Sequence, residues 1–137
     1  MDRITRQRVR QRAGDRCEYC RLAQAQAPFP RFHIEHIRPR KHGGDDDFEN
    51  LCLACNHCNL HKASNLTGVD PLTNAVTPLF HPRQDDWHEH FVIRAALIAG
   101  RTPVGRTTVR VLAMNDPERV ELRVHLLEAE LPEGMGL

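Results

Sequence analysis

Polar residues dominate the opening of the chain, where Thr5 to Ala13 is rich in Arg and Gln, good helix formers. The pattern predicts a short helix that Gly14 stops, then a turn at Cys17-Glu18-Tyr19-Cys20. Ala23 to Pro30, with Pro28 and Pro30, reads as a loop. From Phe32 to Ile37 apolar and polar residues alternate, which predicts a strand ended by Pro39. Gly43-Gly44 and the aspartates after them predict a turn-rich loop. Leu51-Cys52-Leu53-Ala54 follows as a second short strand, and Asn56 to Ser64 as a helix that begins inside Cys55-x-x-Cys58.

Beyond Asn65 the pattern changes. Pro71, Pro78 and Pro82 predict irregular surface structure. Trp87 and Phe91 stand four apart, a helical spacing suited to anchoring that stretch on the core. Thr102-Pro103 and Asp116-Pro117 each set a capping residue before a proline, which predicts helices at about 103–114 and 117–130. In the second of these, Val120, Val124 and Leu127 form one apolar face. No internal repeat is evident.

Composition adds little: 137 residues, 40% hydrophobic and 27% charged, leave room for one domain with a modest core and an appended element. The longest apolar run, Ala95 to Ala99, is far too short to span a bilayer. No secretory signal is visible at the start, so a cytoplasmic protein with reduced cysteines is expected. Charge is more informative. The net +1 splits into +4 for residues 1–65 (twelve Lys and Arg, eight Asp and Glu) and −3 for residues 66–137 (seven and ten). Arg3, Arg6, Arg8, Arg10, Arg12 and Arg16 crowd the start, as a phosphate-binding surface or as a solvated helix face.

Four of the five cysteines form two pairs, Cys17/Cys20 and Cys55/Cys58, with 34 residues between them. Two such knuckles each present two thiolates to one tetrahedral Zn²⁺, and a closed four-thiolate site is structural. The metal would offset a core too small for so loop-rich a first half. Cys52 is left over and reads as a buried strand residue. His57 and His61 are weaker competitors as ligands. The histidines at 81, 88, 90 and 125 show no partner pattern.

Between the knuckles run His33-Ile34-Glu35-His36-Ile37-Arg38-Pro39, Gly43-Gly44, Asp47-Phe48-Glu49-Asn50-Leu51 and Cys55-x-x-Cys58-Asn59-x-x-Lys62. Over about residues 13–65 this resembles the HNH endonuclease family, in the branch with two Cys-x-x-Cys pairs. The resemblance implies an α+β fold: a zinc-stapled ββα-metal core in residues 1–65, carrying a basic N-terminal helix. A mainly helical extension, residues 66–137, is expected to pack on it.

The resemblance also implies a reaction, hydrolysis of phosphodiester bonds in DNA, expected to be duplex. His36 matches the general base, Glu35 and Asn59 match ligands of one Mg²⁺ or Mn²⁺ ion, and Asn50 matches the residue that braces the catalytic loop. Two positions depart from the commonest pattern: Glu35 stands where Asp is usual, and Asn59 where His is frequent. Neighbours on a strand point to opposite faces, so Glu35 and His36 cannot both face the core. His33 shares the strand face of Glu35, as an additional metal ligand or as a histidine packed on the hairpin. Arg38, Arg40 and Lys41 flank the loop, and Lys62 follows on the helix; all four are candidates to contact nucleic acid. Gly43-Gly44 reads as a turn requirement rather than a phosphate cradle, because no helix start follows it.

The alternative is a zinc-knuckle module that binds nucleic acid without cutting it. The set Glu35, His36, Asn50 and Asn59 favours the enzyme, since a pure binding module has little use for base, ligands and brace together. The acidic balance of residues 66–137 argues against that half as the main grip on DNA, and a homodimer or protein contact through it is the other role expected.

Overall fold

The structure is a computed structural model that describes residues 1–130. Helix α1, Arg3–Ala13, begins two residues before the sequence pattern suggests, because the Asp2 carboxylate caps it by accepting from the Thr5 amide at 2.7 Å. Gly14 ends it in the left-handed conformation that glycine adopts without cost. Strands β1, His33–His36, and β2, Leu51–Ala54, pair antiparallel, with His33 opposite Ala54 and His36 opposite Leu51. Helix α2, Asn56–Lys62, leaves β2 directly and packs back on the hairpin. This is the expected ββα unit, and α1 lies against both of its strands.

Of the six early arginines, two are staples. Arg12 donates to the carbonyls of Phe48 (2.8 Å) and Leu51 and lies 3.7 Å over the Phe48 ring. Arg10 donates to the Phe32 carbonyl at 2.9 Å. Arg3, Arg6, Arg8 and Arg16 are exposed. The opening charge run is therefore part hairpin anchor and part surface.

The second half is less irregular than its prolines suggest. It contains a hairpin of β3, Thr67–Val69, and β4, Val76–Pro78, and another of β5, Phe91–Arg94, and β6, Leu97–Gly100. Between them lies the one-turn helix α3, Trp87–His90, and after them α4, Pro103–Val111, and α5, Pro117–Ala129. The four-residue spacing of Trp87 and Phe91 does bring their rings together, with centroids 5.0 Å apart, but over one turn and a strand start.

The two halves share one hydrophobic cluster. Tyr19, Leu51 and Leu53 from the first half join Phe80, Trp87, Phe91, Ile98 and Leu112 from the second. Trp87 donates its indole N–H to the Tyr19 carbonyl at 2.7 Å. On α5 the apolar face differs from the expected one: Leu122 and Leu126 pack on the cluster, whereas Val124 and Leu127 are exposed. Among the described residues no helix is long and apolar enough to cross a membrane.

Candidate active site and zinc centre

Both knuckles fold locally. The Cys20 amide points at Cys17 Sγ (3.5 Å) and the Cys58 amide at Cys55 Sγ (3.4 Å), so each first cysteine sits at the head of a tight turn. In the second knuckle Cys55 is the N-cap of α2. The ligand atoms of Cys17, Cys20, Cys55 and Cys58 all lie within 4.8 Å of one another and are buried. Cys20 and Cys55 Sγ are 3.8 Å apart, far beyond a disulfide. Four thiolates on one Zn²⁺ at about 2.3 Å stand about 3.8 Å apart, so the cluster fits that ion. Arg119 of α5 directs its guanidinium to Cys55 Sγ (3.5 Å) and Cys20 Sγ (3.9 Å), the kind of outer contact that offsets thiolate charge. No sequence motif marks that contact. Cys52 stays outside the cluster, fully buried in β2.

His36 lies on the partly exposed face at the end of β1. Its Nε2 donates to Asp46 Oδ1 at 2.6 Å, and Arg40 donates to the same oxygen at 2.8 Å. The His36 hydrogen bond, with Arg40 adding its charge, holds the Asp46 carboxyl below the usual range. Asp46, which no sequence motif singles out, is thereby tied to both His36 and Arg40. Its one signal is position: an aspartate just past Gly43-Gly44, in the loop that returns to the histidine.

Asn50 braces that loop three times. Its Oδ1 accepts from the Arg38 amide at 2.8 Å, and its Nδ2 donates to the carbonyls of Arg38 (3.0 Å) and Asp45 (2.8 Å). A Cβ on Gly44 would overlap the Arg38 carbonyl, and Gly43 has a φ of +84°. The Gly-Gly pair therefore answers to turn geometry, as its context suggests.

Glu35 points the other way. It is buried, 8% exposed, with Oε2 3.7 Å from Cys52 Sγ and Oε1 3.7 Å from Lys62 Nζ. Burial pushes its carboxyl up to about 7, against the opposing pull of Lys62. Oε1 accepts no hydrogen bond. Lys62 is 2% exposed and donates to the Ile37 carbonyl at 3.1 Å. This corrects the expectation that Lys62 reaches phosphate: its ammonium is withdrawn between a carbonyl and a carboxylate, where an unpaired charge would be costly.

Asn59 is half-buried on α2, and its side chain makes no hydrogen bond among the described residues; none joins it to Glu35. Glu35 Oε1 and the Asn59 side-chain oxygen are hard donors of the kind a divalent cation takes, although Oε1 also faces the Lys62 ammonium at 3.7 Å. His33 Nε2 donates to Asn56 Oδ1 at 3.1 Å, tying β1 to the start of α2. Arg38, Arg40 and Lys41 are exposed beside the loop that follows His36, with Arg40 held by Asp46.

A family model described as HNH endonuclease matches residues 17–65. Neither the curated proteins nor the solved structures contain a match to this chain. The matched stretch begins at the first knuckle and runs past the second, and it contains the His36 loop and the clustered cysteines. Residues 17–65 thus match the HNH endonuclease family model, and the four clustered cysteines are consistent with its zinc-knuckle branch.

Proposed function

We propose that this protein is a metal-dependent endonuclease that hydrolyses phosphodiester bonds in duplex DNA, with His36 as general base. The observation that carries the reading is the 2.6 Å hydrogen bond from His36 to Asp46, on a loop fixed by Asn50. Because a carboxylate only accepts, Nε2 carries the proton and Nδ1 keeps its lone pair for water. His36 takes a proton from that water as its oxygen attacks phosphorus in line. The bond from phosphorus to the 3′ oxygen breaks, and the leaving oxygen takes a proton from solvent. Asn50 holds the loop so that the ring does not drift. A Mg²⁺ or Mn²⁺ ion held by Glu35 and Asn59 would supply charge neutralisation at the scissile phosphate and the departing oxygen. The exposed Arg38, Arg40 and Lys41 supply backbone contacts beside the loop. Cysteines free of disulfides suit the reducing cytoplasm.

Incubating the zinc-loaded protein with supercoiled plasmid and Mg²⁺ or Mn²⁺ tests the proposal. Nicking is expected, and His36→Ala should reduce it by about 10² to 10⁴-fold while zinc content and fold persist. The burial of Glu35 beside Lys62 favours one other reading, a nucleic-acid-binding module with a retired metal site. Retarded but uncut DNA across both ions would decide for that module.

A further inference from the structure

We infer that His57, His61 and Asp116 form a second metal site, for a borderline divalent transition ion such as Zn²⁺, which clips α2 to the start of α5. His57 and His61 stand four apart on α2 and so share a face, with ring centroids 4.3 Å apart. One ligand atom from each, with a carboxylate oxygen of Asp116, lies within 4.8 Å of the others, and all three residues are half-buried.

Two details turn proximity into a site. First, His57 Nε2 donates to the Ala113 carbonyl at 2.8 Å, which fixes the tautomer and leaves Nδ1 with its lone pair. Metal-bound histidines are typically held this way, by a second N–H given to a carbonyl or carboxylate. Second, Asp116 is the N-cap of α5, yet its side chain makes no capping hydrogen bond. The Asp116-Pro117 pair predicts a side-chain cap here, as Thr102 provides for α4 by accepting from the Gly105 amide at 3.0 Å. Asp116 instead uses its main-chain carbonyl, which accepts from the amides of Arg119 (2.8 Å) and Val120 (3.0 Å). Its carboxylate is left beside two imidazoles and receives no hydrogen bond among the described residues.

Two imidazole nitrogens and one carboxylate oxygen are a donor set that Zn²⁺ accepts, at about 2.0–2.2 Å. Closing the donors onto one ion requires shifts of about 1 Å, which rotation of half-exposed side chains supplies. His57 and His61 also line a surface pocket with Asn56, Leu60 and Glu118, so a water can complete the tetrahedron. The thiolate cluster is separate: Cys58, between the two histidines in sequence, is fully buried on another face of α2.

Full-length protein carrying one zinc per chain on its cysteines should be titrated with Zn²⁺ by calorimetry, and its metal counted after equilibration. A second zinc per chain is expected, with a rise in melting temperature at excess zinc. His61→Ala and the isosteric Asp116→Asn should each weaken that second site at least about tenfold. Both should keep the first zinc and the far-ultraviolet spectrum, and His125→Ala should change nothing. A wild-type protein that stops at one zinc overturns the inference. So does a second zinc that binds equally well in both variants.

Discussion

At His36 the nitrogen facing Asp46 is fixed as a donor, which leaves one nitrogen, and one direction, for accepting a proton. Asp46→Asn preserves size but lets the ring adopt either tautomer. In the proposed reaction this variant should nick plasmid about 10² to 10⁴-fold more slowly, with its DNA affinity little changed; single-turnover rates against gel-shift titrations would check it. Lys62 poses a different question, because its cation serves the fold. Lys62→Met removes the charge facing the Glu35 carboxylate and leaves that group alone in the core. A loss on the order of 3 kcal/mol in urea unfolding is expected. A variant as stable as the wild type would mean that Glu35 is already protonated in the native protein.

At the scale of elements, legibility followed the range of the interactions. Helix α1, both strands of the first hairpin and α2 were readable because their signals are local: a glycine stop, short apolar runs, a helix start inside a cysteine pair. The second-half hairpins were not, because β3 and β4 are three residues each and their pairing is stabilised from outside by α4. The α5 face was misread for a related reason. Leu122 and Leu126 face inward because Arg119 and Arg123 on that helix are drawn to Cys55 and to the Ala96 carbonyl, partners remote in sequence. The same limit hid Asp46, whose role depends on how a loop closes. The knuckles, by contrast, were legible from spacing, and they carry the hairpin. Cys17→Ser should therefore lose zinc and melt lower together. Unchanged melting with one zinc retained would remove Cys17 from the ligand set.

At the scale of the whole molecule, the second half is joined to the zinc-knuckle half by the aromatic cluster and positioned by an ion pair inside its own fold. Asp70, fully buried at the end of the β3 turn, accepts from Arg106 Nε (3.0 Å) and Nη2 (2.9 Å) of α4, from the Leu72 amide and from the Thr73 hydroxyl. The Arg106 hydrogen bonds, reinforced by those of Leu72 and Thr73, hold its carboxyl well below the usual carboxylate range. Its native pKa thus lies below the unfolded value of about 3.9. The stabilisation it gives is present above that value and is lost as pH falls through the native pKa, because the unfolded chain takes up the proton first. Asp70→Asn should unfold at lower urea than the wild type at pH 7. The gap between the two should narrow as the pH is taken below about 4. Glu35, raised to about 7, has the opposite sign and loses stability as pH rises, but it is common to both proteins and cancels in the difference. A gap that stays constant from neutral to acid pH would mean that the aspartate acts through shape, and that the charge on Arg106 contributes nothing to holding α4 on the β3–β4 hairpin.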